Sequence, residues 1–201
     1  MIYDGPPSWQ LPGLAATAII RLQQNQRCLF LNSPPMVTGF RSYLSAAGID
    51  VAREVERGAL VVTSDQTHLA DGHFDGTRML AMLQSAVDEA LRDGYSGLWA
   101  TGDMLWELGH ERNLEKLLEY ECALEELLQR RPELSGICQY HREMLPASAV
   151  QVALYTHQSL YINQTISRMN PYCAQPGTLR RQGAQDGALV GMLRHFDLPL
   201  E

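Results

Sequence analysis

The chain has 201 residues, 45% of them hydrophobic, a size and composition suited to one globular core. Sixteen Lys and Arg stand against 23 Asp and Glu, and a net charge of −7 argues against a broad nucleic-acid footprint. No apolar run reaches the roughly 20 residues of a membrane span, and Met1-Ile2-Tyr3-Asp4 lacks the basic and apolar character of a leader, so the expectation is a soluble, cytoplasmic protein.

In chain order, the first helical pattern runs from Leu11 to Gln24 around Pro12, which is tolerated in a first turn because its missing amide proton would have no helical partner. Cys28-Leu29-Phe30-Leu31 reads as a strand, Val37 to Ala47 as a helix stopped by Gly48, and Leu60-Val61-Val62-Thr63 as a second strand. Met79, Leu80, Leu83, Ala86, Val87, Ala90 and Leu91 repeat at helical spacing, with Asp75 placed to cap the start and Gly94 to follow the end. The strand Gly97 to Thr101 is followed by a helix from Glu111 to Arg130, the strand Gly136 to Tyr140, a helix from Ala147 to Tyr155 and the strand Leu160 to Asn163. Beyond that point Gln175, Pro176, Gly177, Gly183 and Gly187 break any period before an apolar stretch from Ala188 to Phe196. Residues 1–173 therefore read as one domain and 174–201 as a linker with a short terminal helix.

Alternation of strand and helix signals predicts an α/β fold with a mostly parallel sheet. Most of the strands are apolar on consecutive positions, so helices must cover both faces. The four cysteines, Cys28, Cys122, Cys138 and Cys173, form no C-x-x-C pair, which argues against a structural zinc site; Cys28 and Cys138 sit in apolar runs as small buried hydrophobes.

In such a sheet ligands collect at the carboxyl ends of the strands. The groups there are Asn32-Ser33, Ser64-Asp65, Thr101-Gly102-Asp103 followed by Met104 and Trp106, and Gln139-Tyr140-His141. Glu121 falls inside the apolar stripe Leu114, Leu117, Leu118, Leu124 and Leu128, so its carboxylate points at the core. It is either satisfied there by backbone N–H groups or an Arg, or it lines a pocket. Asp103 follows an apolar strand as the magnesium-holding carboxylate of P-loop NTPases does, yet no G-x-x-x-x-G-K-[ST] is present. The segment in the equivalent place, Gly5 to Ala15, has three prolines and no lysine. The stretch Asp65 to Asp75, with His68 and His73, suits a divalent metal or an ordinary turn and helix cap. His157, just before a strand, is expected at the amino-terminal edge of the sheet in a structural role. No elbow, zincin or dinucleotide motif appears, so no catalytic residue, cofactor or metal is assigned.

Leu44-Ser45-Ala46-Ala47-Gly48-Ile49-Asp50-Val51, Gly58-Ala59-Leu60-Val61-Val62, Asp71-Gly72-His73-Phe74-Asp75, Thr101-Gly102-Asp103-Met104-Leu105-Trp106, Leu118-Glu119-Tyr120-Glu121, Cys138-Gln139-Tyr140 and Asn170-Pro171-Tyr172 together resemble the MEDS sensory domain of methanogens, methylotrophs and the dichloromethane regulator DcmR. The resemblance covers most of residues 1–173. It implies a three-layer RecA/KaiC-like fold without a working P-loop and a pocket formed by Asp103, Trp106, Glu121, Gln139 and Tyr140. The family commonly has Glu where Asp103 stands. Its N-terminal strand typically carries His-x-Cys before an aromatic–Asp pair; here the match begins at Met1-Ile2-Tyr3-Asp4, and those two residues would lie upstream.

The expected function is thus a non-catalytic sensor. It binds a small organic ligand at the carboxyl edge of the sheet and regulates a partner, a histidine kinase or a transcription regulator, without touching nucleic acid or membrane itself. Homo-oligomerisation is left open. The alternative is a degenerate RecA-like interaction scaffold with no ligand.

Overall fold

The computed structural model describes residues 1–64, 74–105, 114–162, 166–170 and 173. Within these residues the elements are β1 (Ile2–Tyr3), α1 (Leu11–Gln23), β2 (Arg27–Asn32), α2 (Pro34–Ala46), α3 (Val51–Glu56), β3 (Leu60–Ser64), α4 (Gly76–Arg92), β4 (Leu98–Asp103), α5 (Leu114–Arg130), β5 (Leu134–His141), α6 (Ala147–Thr156), β6 (Ser159–Ile162) and β7 (Ile166–Met169). A 3-10 turn at Pro7–Gln10 leads into α1. The strands form one sheet in the order β3-β2-β4-β5-β1-β6-β7. Every neighbouring pair from β3 to β6 is parallel, and β7 runs antiparallel to β6 at the edge.

Side chains alternate across a strand, and that alternation builds the layers. On β2, Cys28 and Phe30 pack with Leu14, Phe40 and Leu44 of α1 and α2, whereas Leu29 and Leu31 pack with Met79, Leu83, Leu117 and Leu124 of α4 and α5. The same parity sends Tyr3 and Trp99 to the α1–α2 side, and Ile2, Leu98 and Tyr140 to the side of α4, α5 and α6. The result is a three-layer α/β fold around a mostly parallel sheet, the class expected from the alternating pattern. Among the described residues no helix is long and apolar enough to cross a membrane.

Local chemistry explains the boundaries. The backbone N–H of Arg78 donates to Asp75 Oδ1 at 3.0 Å, so Asp75 caps α4. Gly94 follows its end with φ +86°. The second helix starts at Pro34, earlier than the expected Val37, because Pro34 and Pro35 fit a first turn. Of α5, the expected residues 111–113 lie outside the described part, as does the whole segment 174–201. Three short elements were not anticipated: β1 with two residues, α3 with six and β7 with four. β1 and α3 are shorter than the windows over which a period can be recognised, and Ile166-Ser167-Arg168-Met169 of β7 carries no run of consecutive apolar residues. The α3 turn is held by the Arg53 N–H donating to Asp50 Oδ1 at 3.1 Å.

Strands β4 and β5 approach closely at Gly136, where an added Cβ would lie 2.5 Å from the Ala100 carbonyl oxygen. On the other face, the fully buried Phe40 ring stacks on Phe30 with centroids 4.0 Å apart. Phe40→Ala should lower the unfolding free energy by about 3–5 kcal/mol, read as a reduced urea midpoint at unchanged m-value.

Candidate functional site

The carboxyl edge of the sheet carries a polar group on the α1–α2 side. Asp103 ends β4 directly across from Gln139 on β5. Both are buried, and parity with Trp99 and Thr101 turns Asp103 toward α1 and α2. Gln139 Nε2 donates to Thr101 Oγ1 at 2.9 Å, and that hydroxyl donates to the Ile137 carbonyl at 2.7 Å. Asp103 Oδ1 accepts from the Leu105 N–H at 2.9 Å. On β1, burial pushes the Tyr3 phenol well above its usual range, and the Asp103 carboxylate pushes it in the same direction. His141 stands edge-on to Tyr3, its Nδ1 accepting from the Met144 N–H at 3.2 Å. Its Nε2 therefore carries the proton and donates to the Gly5 carbonyl at 2.8 Å. Tyr3 Oη, Gln10 Oε1, Asn32 Nδ2 and Gln139 Oε1 are buried here without a hydrogen-bond partner.

The second group lies on the opposite side of the sheet. Glu121 is 1% exposed, as its place in the apolar stripe of α5 predicts. Its partner is neither of those expected: the Tyr140 hydroxyl donates to Glu121 Oε1 at 2.5 Å. The other oxygen, Oε2, lies 3.6 Å from His157 Nε2. His157 Nδ1 donates to the Ala153 carbonyl at 3.0 Å, which leaves Nε2 as the nitrogen with a lone pair. One ligand-type atom from each of Glu121, Cys138 and His157 lies within 4.8 Å of the others. The backbone nitrogen of Met1 donates to the Cys138 carbonyl at 2.6 Å, bringing β1 against the same place. Burial pushes the Glu121 carboxyl up to about 7 against the pull of the Tyr140 hydrogen bond, and burial pushes His157 down to about 4. Between those values the pair is a neutral acid facing a neutral imidazole.

A cavity of about 80 Å³ adjoins this group. Leu31, Met79, Leu83, Met104, Leu124 and Leu128 supply its apolar walls, and Cys138 and His157 also border it. Ala100, Gly102 and Gly136 line it from the sheet, where one methyl group and two bare backbone positions leave the space.

The predicted site residues therefore fall into two sets. Asp103 and Gln139 face α1 and α2, whereas Glu121 and Tyr140 meet on the side of α5 and α6. A single wall containing all four does not form, because the sheet lies between them. Trp106 and the histidine-bearing stretch 65–73 lie outside the described residues. Cys138 is half-buried, more open than the fully buried Cys28, whose thiol burial pushes up to about 12. Sequence reasoning did not select Cys138 or His157 for this site. His157 does precede β6, but the turn from α6 directs its ring at Glu121 and Tyr140 rather than out of the sheet edge.

Residues 9–158 match the family profile described as MEDS, the MEthanogen/methylotroph, DcmR Sensory domain. The chain belongs to the MEDS family. No curated protein gives a significant match. The matched part of this MEDS domain contains Glu121, Cys138, Tyr140 and His157 as well as Asp103 and Gln139. Strands β1, β6 and β7, which extend the sheet beyond β5, lie outside the matched span.

The buried carboxyl gives this MEDS domain a pH signature. Below about 4.5 the Glu121 carboxyl is protonated in both folded and unfolded chains; from there to about 7 only the unfolded chain releases its proton, so stability falls as pH rises. His157 acts oppositely, costing stability as pH falls from 6.5 to about 4. Glu121→Gln shares the His157 contribution, so the difference between the two proteins isolates the carboxyl. Relative to wild type, the amide variant should gain roughly 2–4 kcal/mol between pH 4.5 and 7, measured by chemical denaturation across that range. A difference that stays flat with pH would mean that the carboxyl titrates normally.

Proposed function

We propose that this MEDS domain senses a small, mostly apolar organic molecule held between α4, α5 and the sheet. The observation that carries the reading is the cavity of about 80 Å³, apolar on most sides and bordered at Cys138 and His157 by polar groups next to Glu121 and Tyr140. Apolar walls supply most of the binding free energy of such a ligand, and a few fixed polar groups orient it. The Tyr140 hydroxyl is hydrogen-bonded to Glu121, and His157 faces the same carboxyl, so the three bring together β5, α5 and the α6–β6 junction. A ligand that favours one spacing of these elements shifts the population of domain conformations and so the surface offered to a partner. In this reading Asp103 and Gln139 organise the polar strand ends, and the output passes to a histidine kinase or a transcription regulator. The domain binds without turnover.

The ligand-free scaffold remains a second reading, favoured by the large side chains Trp9, Ile20 and Tyr43 that stand exposed around α1 and α2. One experiment separates the two. Native mass spectrometry and thermal shift with a panel of small alcohols, halocarbons and aromatic compounds should detect a ligand that raises Tm by mass action. Ala100→Val adds two methyl groups toward the cavity and should cut that ligand's affinity about tenfold or more, while leaving unliganded Tm within a few degrees. No shift across the panel, with a concentration-dependent dimer, would favour the scaffold.

A further inference from the structure

The pairing of Glu121 with His157 is not a hydrogen bond. Oε2 and Nε2 face each other at 3.6 Å, beyond hydrogen-bonding range. It is, however, about the separation that a tetrahedral ion imposes, since bonds near 2.0–2.3 Å set ligand atoms roughly 3.3–3.7 Å apart. The Cys138 sulfur completes a set of three atoms, all within 4.8 Å of one another, contributed by α5, β5 and the α6–β6 junction.

We infer that Glu121, Cys138 and His157 bind a transition-metal ion, zinc(II) by preference, with its fourth position open toward the neighbouring cavity. The donor set of one thiolate, one imidazole and one carboxylate suits zinc and its neighbours, and three protein ligands with one position free is the pattern of zinc sites that take an exogenous ligand. Two further contacts support the assignment. The His157 Nδ1 donates to the Ala153 carbonyl at 3.0 Å, which fixes the tautomer that aims the Nε2 lone pair at the site. The Tyr140 hydroxyl holds Glu121 Oε1, which leaves Oε2 for the ion. Ligating histidines and carboxylates are oriented in this way by partners outside the coordination sphere. A dication would also offset the cost of placing two anionic ligands in a region where Glu121 is 1% exposed. The cysteine spacing gave no hint of this, because the ligands lie in different elements and meet only across the fold.

The inference does not rest on the sensor reading, and its test needs no organic ligand. The chain, stripped with chelator, is titrated with zinc(II) and with cobalt(II), bound metal being counted by elemental analysis after gel filtration. The expected result is one ion per chain, with a thiolate-to-cobalt charge-transfer band and the intense visible bands of four-coordinate cobalt. Cys138→Ser should abolish the charge-transfer band, and His157→Gln should weaken binding at least about 100-fold. Tyr140→Phe keeps all three ligands, so it should retain the band and bind about 10-fold more weakly. Near-ultraviolet circular dichroism verifies folding of each variant, and Tyr140→Phe keeps the test decisive if a ligand variant does not fold. Ala100→Val should leave the stoichiometry unchanged, which separates this result from failure of the apolar-ligand reading. Absence of stoichiometric metal, a cobalt spectrum without the thiolate band, or equal affinity in wild type and variants would overturn the assignment.

Discussion

Continuity of the sheet depends on a strand of two residues. Ile2 pairs with both Tyr140 and Ile162, placing β1 between β5 and β6. Without it, the β6–β7 pair would lose its attachment to the remaining strands. The Tyr140 N–H donates to the Met1 carbonyl and the Arg142 N–H to the Tyr3 carbonyl, each at 2.8 Å. So short a strand holds because its side chains are anchored on both sides: Ile2 is buried with Tyr140 and Leu160, Tyr3 with Leu11 and Trp99. The same insertion brings the start of the chain against Cys138, at the place where Glu121 and His157 converge.

Parity then decides which chemistry meets which. The polar strand ends Asn32, Asp103 and Gln139 belong to one side and the Glu121–Tyr140–His157 set to the other, separated by one thickness of backbone. The first side keeps several buried atoms unpaired, among them Tyr3 Oη and Gln139 Oε1. A buried polar atom left without a partner costs on the order of 1–3 kcal/mol, so this edge is the more polar and the less internally paired of the two sides. The second side is better satisfied, but it confines a carboxyl group whose charged form is poorly solvated.

Much of the fold was legible because buried parallel strands and amphipathic helices leave strong local signals. The repeat from Met79 to Leu91 and the cap at Asp75 located α4, and the stripe of α5 showed that Glu121 must point inward. The pairing of that carboxylate was not legible, since Tyr140 and His157 lie 19 and 36 positions further on and reach it only through the crossover. Grouping Gln139 with Tyr140 in one pocket overlooked a constraint already present in the sequence: neighbours on a strand point to opposite faces. The expectation for His157 rested only on its place just before β6. Its ring direction depends on how α6 ends, where the imidazole bonds back to the Ala153 carbonyl instead of extending with the strand.

The α6–β6 junction also holds the far end of the sheet. Asn170, just after β7, donates through Nδ2 to the carbonyls of Leu154 and His157. Its backbone N–H donates to Gln158 at 2.8 Å. One side-chain amide thus ties the residue after β7 to the backbone of α6 and of the residue whose imidazole faces Glu121. The edge strand and the buried carboxyl thus meet at one residue, His157, which offers its backbone carbonyl to Asn170 and its imidazole to Glu121.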